Sequence, residues 1–396
     1  MIEENLGATA SVSDAEKVAA IREAMPAVRA YAYLNAGTNG PLPRRAHEVL
    51  LAEARRDLEE GRILPERYPR MSAIKEETRA RFVELLGCDA SEVALTHNTT
   101  EGMNIALLGL SWQPGDEVVT ARLEHPGGLH PLYILRQRFG VRIRMTDIGS
   151  VAGDPVEELR GALTPRTRAV VLSHVSWSTG RVLPLRELAE VAHAAGALLI
   201  CDAAQACGMV PSRMKDLEVD AYACSGQKWL CGPDGTGALF VRRDRMGDIA
   251  QTFATYLSFS AHDNEGYFVP AKGAARYEAV THYPPSITAL NASLEWIERE
   301  VGWKWAYARI AALGRVCYDA LAGLPGVTMH TPRGDMAGLV HFAVEGIEPP
   351  ELTKRLSERG VLIRHLIEPA VNRVSTGFYN TEEDIARLVT EIQNVR

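Results

Sequence analysis

The chain has 396 residues, which at ~150 residues per domain predicts two to three domains and room for a sizeable core. Hydrophobic residues (46%) and charged residues (23%) sit close to the globular average, which excludes a disordered, collagen-like or coiled-coil chain. The net charge is −7 and no Lys/Arg run stands out, so the basic footprint of a nucleic-acid binder is missing and a small molecule is the expected partner.

The acidic start MIEENL carries no apolar signal region, and no apolar stretch reaches the ~18 residues of a membrane span. A cytoplasmic protein is expected. Residues 14 to 26 (DAEKVAAIREAMP) predict a short amphipathic helix, and YAYLNAGTNGPLP an ordered loop. From about residue 84 short apolar runs alternate with helix-like segments: EVALT (92–96), DEVVTA (116–121), RAVVLSHV (168–175), GALLICD (196–202), DAYACSG (220–226) and GALFVRR (237–243). Strands that are apolar throughout, alternating with helices, predict a parallel sheet covered on both faces. After about residue 285 come long helical stretches, the short strands GLVHFAV and GVLIRH, and a final helix from Glu382. The predicted organisation is a helical segment 1–30 that joins the small domain, a large α/β domain 31–284, and a small α+β domain 285–396. The six cysteines (Cys88, Cys201, Cys207, Cys224, Cys231 and Cys317) fit neither a zinc spacing nor a disulfide framework, so no metal is expected.

Open α/β sheets bind ligands outside the carboxyl ends of their strands, so polar residues there carry the candidate chemistry. Thr99 and Thr100 lie where a strand passes into a helix, a position that suits a phosphate cradle and equally a simple helix cap. Asp202 ends an apolar strand; a buried carboxylate there needs a cationic partner, unless it too is a cap. Lys228, in SGQKWLCGP, follows another apolar strand beside Trp229. Desolvation would lower its pKa and free the amine for Schiff-base chemistry, whereas most lysines are simply solvated. No GxxxxGK[ST] motif occurs, which speaks against a nucleotide-binding loop.

These segments in this order, LTHNTTEGMN, LEHPGG, SHVSWSTGRVLPL, CDAAQACG, SGQKWLCGPDGTGALFV, RYEAVTHYP and RVSTGFYNTEEDI, resemble the fold type I pyridoxal-phosphate enzymes of the class V aminotransferase branch over nearly the whole chain. The resemblance implies an α/β large domain with a mainly parallel seven-stranded sheet, a smaller C-terminal α+β domain, and pyridoxal 5′-phosphate (PLP) as cofactor. It implies Lys228 as the Schiff-base lysine, Asp202 at the pyridinium nitrogen, Gln205 at the ring oxygen and His125 on the ring face. The phosphate falls to Thr99, Thr100, Ser225 and Gln227, with Thr281 reaching the phosphate of a neighbouring subunit in a homodimer with shared active sites. Arg373 matches the arginine that clamps the substrate carboxylate. Arg364 is read as holding a second carboxylate, as lining the entrance, or as plain surface. Trp177, Tyr283 and Asn39 are expected on the substrate side.

Within that branch the chain is most similar to the L-cysteine/cystine C–S lyases. Cysteine desulfurases share the scaffold but take sulfur onto a cysteine just ahead of the substrate arginine. Here that loop reads RHLIEPAVNR, without a cysteine. The expected reaction is β-elimination on cysteine, cystine or a related sulfur amino acid, giving pyruvate, ammonia and a thiol or persulfide. Transamination, or epimerisation as in the isopenicillin N epimerases, is the alternative.

Overall fold

The computed structural model describes residues 13–395, so most of the predicted 1–30 segment's first half lies outside the described residues. The helix Asp14–Ala24 starts in a capping box: Ser13 Oγ accepts from the Glu16 amide and Glu16 Oε2 from the Ser13 amide, which satisfies two otherwise orphan donors. Strand β1 (Ala32–Tyr33) then pairs in parallel with a strand of the C-terminal domain, and the loop after it carries Gly37 and Thr38 toward the centre of the molecule.

Seven strands build the main sheet: β2 (Val93–Thr96), β3 (Glu117–Ala121), β4 (Arg142–Thr146), β5 (Thr167–Ser173), β6 (Leu198–Asp202), β7 (Ala221–Ser225) and β8 (Gly237–Val241). Their order is β2-β8-β7-β6-β5-β3-β4, and only β8 runs antiparallel to its neighbours. The central strands are buried along their whole length, as expected when helices cover both faces. The sequence pattern gives no strand at β4. This edge strand places Arg142 and Arg144 on alternate, exposed positions, so its apolar content is too low to stand out.

A two-stranded hairpin, β9 (Phe259–His262) with β10 (Phe268–Pro270), projects from the large domain with Tyr267 and Phe268 exposed. The small domain holds β11 (Val327–Met329), β12 (Leu339–Val344), β13 (Val361–Leu362), β14 (Arg364–Leu366) and β15 (Val371–Ser375). In its main sheet the order is β11-β12-β15-β14, and β13 pairs with β1. Two core clusters flank the large sheet and a third fills the small domain.

The predicted texture change at 285 precedes the change of core. The helix Pro284–Trp296 packs on the helices Arg44–Glu59 and Arg67–Leu86, and its Leu290, Leu294 and Trp296 belong to the large-domain core. The switch falls inside the next helix, Trp303–Ala322. Its Ala306 and Ile310 join the large core, while Leu313, Cys317 and Leu321 join the small one.

Candidate active site

Five strand ends of the main sheet converge on one cleft of about 350 Å³. After β2, Asn98 caps the helix Thr99–Leu108 by accepting from the Glu101 amide at 2.9 Å, which leaves the first amides and hydroxyls of that helix facing the cleft. After β7, Ser225 Oγ lies 2.7 Å from Thr99 Oγ1, so the two hydroxyls form one polar edge. Thr100 and Gln227 complete this end of the cleft, and Gln227 Oε1 is buried without a hydrogen-bond partner. Gly127 allows the close approach: a Cβ there would stand 2.5 Å from Thr100 Oγ1.

Asp202 ends β6 and is buried. Its Oδ1 accepts from the Ala204 amide at 2.9 Å, while Gly128 leaves space opposite Oδ2. The cap and the cleft carboxylate are therefore the same residue. Beside it Glu124 accepts from both the amide and the hydroxyl of Ser173, the β5 residue in register with Asp202. Burial pushes the Glu124 carboxyl up to about 7.

His125 caps the helix Pro126–Phe139 through its Nδ1, which accepts from the Gly127 amide at 3.0 Å. Burial lowers its pKa, so the ring presents a neutral face to the cleft. Trp177 meets it edge-on at 5.1 Å and is held by its own Nε1 donating to the Leu123 carbonyl. Lys228 follows the β7 end; burial lowers its pKa to about 8, and Asp202 partly offsets this. Gln205 is fixed from both sides, donating to the Gly37 carbonyl at 2.9 Å and accepting from Trp229 Nε1 at 3.1 Å.

The opposite wall comes from the small domain. Arg373 on β15 is only 2% exposed, and burial drops its pKa to about 9. Its Nη2 donates to Thr38 Oγ1 at 3.3 Å, and its Nε is buried without a partner. Arg364 on β14 is its cross-strand neighbour and also reaches Thr38 Oγ1, at 3.5 Å. Two adjacent guanidiniums repel each other, so an anion between them would be strongly favoured.

The structure thus brings Thr99, Thr100, His125, Trp177, Asp202, Gln205, Ser225, Gln227, Lys228, Arg364 and Arg373 to one cleft. It does not bring Asn39, Thr281 or Tyr283 there. Asn39 is exposed, with its amide turned to Asp234; its neighbours Gly37 and Thr38 line the cleft instead. The signal for Thr38 was the same NAGTNG loop, but the arginines that give it a place in the cleft lie more than 300 residues away. Tyr283 is 57% exposed, and Thr281 is exposed with φ +70, a strained conformation for a β-branched residue. Neither contributes to the cleft of its own chain.

The six cysteines stay clear of the cleft. Burial pushes the Cys88 and Cys317 thiols up to about 12 and those of Cys201, Cys224 and Cys231 above their usual range. Among the described residues no helix is long and apolar enough to cross a membrane.

The polar edge at the helix N-terminus fits a phosphate, and the neutral His125 face fits a planar ring. Lys228, Asp202 and the arginine pair lie within the same cleft. Comparison with known proteins agrees. The aminotransferase class-V family model matches residues 55–388. A cysteine desulfurase of Haloferax volcanii is 30% identical over 349 residues, covering 82% of this chain and 80% of its own. A probable cysteine desulfurase of Methanothermobacter thermautotrophicus is 27% identical and spans 95% of this chain and 97% of its own. The complex of the cystine C–S lyase C-DES with its reaction product cysteine persulfide superposes with a TM-score of 0.88 at 30% identity, over 93% of this chain and 98% of that one. A C-DES mutant with glycine covalently linked to the PLP cofactor superposes equally well, at 29% identity over 94% of this chain and 98% of its own. The chain belongs to the aminotransferase class-V family.

Proposed function

We propose that the protein is a PLP-dependent carbon–sulfur lyase that cleaves the Cβ–S bond of cysteine, cystine or a related sulfur amino acid by β-elimination. One water is consumed, and pyruvate, ammonia and a thiol or persulfide (hydrogen sulfide from cysteine itself) are the products. When bound, PLP supplies an electron sink for the pair left on the substrate α-carbon. Thr99, Thr100, Ser225, Gln227 and the helix N-terminus grip the phosphate. Asp202 would hold a proton at the ring nitrogen, and His125 would cover one ring face. Lys228 Nζ would be the amine that holds the cofactor and, when free, the base that takes the substrate α-proton; its lowered pKa suits a base near neutral pH. Arg373 takes the α-carboxylate in a bidentate fork, and Arg364 a second carboxylate such as that of cystine. A homodimer supplies what one chain leaves out: the partner's Thr281 completes the phosphate grip, and the exposed aromatic hairpin around Tyr267 and Phe268 offers apolar surface to a second copy.

The observation that carries elimination over sulfur transfer is the hairpin between the arginines. β14 and β15 are in register from Arg364↔Arg373 to Leu366↔Val371, so the link between them is short, and RHLIEPAVNR contains no cysteine. Transfer to a protein thiol needs a thiolate on a segment able to reach the substrate sulfur, and would leave alanine. The test is product analysis with L-cysteine and L-cystine for the wild type and for a variant with all six cysteines replaced by Ala or Ser. Pyruvate and ammonia in equal amounts, with turnover of the variant within about threefold, is the expected result. Alanine as product, a keto acid retaining the sulfur, racemised substrate, or loss of sulfur release in a folded, cofactor-loaded variant would each overturn it.

A further inference from the structure

One row of paired residues crosses the small-domain sheet: His341 on β12, Arg373 on β15 and Arg364 on β14 stand side by side. Directly opposed residues on antiparallel strands put their side chains on the same face, with Cβ atoms about 4.5–5.5 Å apart. His341 therefore borders the carboxylate clamp, yet it is fully buried and is absent from the cleft lining. Its hydrogen bonds are complete. Nε2 lies 2.9 Å from the Trp177 carbonyl, which can only accept, so Nε2 carries the proton. Nδ1 lies 3.3 Å from Thr331 Oγ1, and that hydroxyl also accepts from the His341 amide at 2.8 Å, so its proton points at Nδ1. Burial, and then the Arg373 charge beside it, push the pKa down to about 3. The ring is neutral and adds no third positive charge to the arginine row.

The bond to Trp177 crosses between domains. Trp177 belongs to the loop after β5, its indole packs edge-on against His125, and its carbonyl is held by a small-domain residue adjacent to Arg373. The ring-facing wall and the carboxylate clamp are thus tied by one imidazole.

We propose that His341 is a positioning residue that fixes the spacing between the Arg373 clamp and the Trp177–His125 wall, and so sets the affinity for the substrate carboxylate without touching substrate or cofactor. This rests on the reading of the cleft as an amino-acid site of a PLP enzyme. The experiment compares holoenzyme carrying His341→Ala, His341→Gln and Thr331→Val with the wild type. Cofactor content is read from visible absorbance, glycine affinity from titration of that absorbance, and kcat and KM with L-cystine.

His341→Ala should keep its cofactor, raise both the glycine Kd and KM by about tenfold, the size of one lost positioning hydrogen bond, and change kcat by less than about threefold. His341→Gln, whose amide N–H can reach the same carbonyl, should restore most of the loss. Unchanged Kd and KM in His341→Ala, or equal defects in the Ala and Gln variants, would overturn the proposal. Should His341→Ala fail to fold, Thr331→Val decides: it removes the hydroxyl that orients the ring, and an unchanged KM there would overturn the proposal, whereas a raised KM supports it. A wild type without cofactor absorbance would instead refute the assignment of the cleft itself.

Discussion

Arg373→Met should make the protein more stable and nearly inactive. The Arg373 guanidinium is buried, makes one hydrogen bond of 3.3 Å to Thr38, leaves its Nε unpartnered among protein atoms and faces a second arginine across the sheet. Its pKa falls to about 9 from burial, which means the fold disfavours the charge it contains. Replacing buried charged groups by well-packed apolar side chains of similar volume is often neutral and can stabilise by about 1–4 kcal/mol, and a guanidinium without an ion-pair partner belongs at the stabilising end. With an unfolding entropy of ~2.1 cal/mol/K per residue, a chain of this length should melt about 1–5 °C higher. Substrate would then lose two charge-assisted hydrogen bonds of about 1.5–3 kcal/mol each, so kcat/KM should fall by about two to four orders of magnitude. Calorimetric melts of protein without substrate, together with initial rates on L-cystine, check both halves. A variant that melts well below the wild type would show that the guanidinium is structurally satisfied, and a kcat/KM within threefold would show that it is not the clamp. Either outcome refutes the reasoning.

Asp202→Asn should retain cofactor, because the proposed phosphate grip lies on other residues, yet lose most turnover; undiminished turnover would reduce Asp202 to a cap for Ala204. Gly37→Ala should weaken substrate binding, since the new Cβ would stand 2.8 Å from Ser375 Oγ and 3.1 Å from Arg373 Nη2, whereas Gly247→Ala, with nothing within 4 Å, should leave KM unchanged. Equal KM values in the two variants would exclude close packing at Gly37 as a determinant. Stability should also fall on acidification. Burial holds His174 and His282 down to about 4 and His341 to about 3, so the stability they contribute is complete above the unfolded value of 6.5 and is lost below it, by up to about 1.4 kcal/mol per pH unit for each. Glu124, raised to about 7, works in the opposite sense: its contribution is complete below 4.5 and is lost as pH rises through 7. Urea midpoints should therefore decrease from about pH 7 to about pH 5, and more steeply in Glu124→Gln; a flat or shallower profile in that variant would contradict the assignment.

The residues at strand ends were legible because sequence-local signals frame them. Asp202 closes a buried strand, Lys228 follows the end of another, and Thr99 and Thr100 open a helix next to a third. What stayed hidden depends on distant contacts. Thr38 sits in a loop that also offers Asn39, and only the fold, by delivering Arg373 and Arg364 to it, separates the two. Nor does local pattern reveal that Glu124 and His341 are buried with complete hydrogen bonds, because their partners Ser173 and Trp177 come from other elements. The helix Pro284–Trp296 reads as the start of a new domain because it is long and apolar, yet those apolar positions face the large-domain helices. Thr281 and Tyr283 have no place in the cleft of their own chain, and their proposed roles rest on a second copy.

The helix Trp303–Ala322 acts as a beam set into both cores at once. Between its large-core end at Ile310 and its small-core end at Leu313 there is less than one turn, and Gly314 presses against the Ala337 carbonyl so closely that a Cβ would stand 1.9 Å from it. No slack chain separates the two bodies there. If Arg373 and Arg364 clamp the substrate carboxylate as proposed, a shift of β12 and β15 on capture would have to pass through this beam as a small rotation, since the chain has no free hinge at that point. For the same reason the cores share their fate: melting either one removes an anchor of the helix that supports the other, which couples the two domains into one cooperative unit.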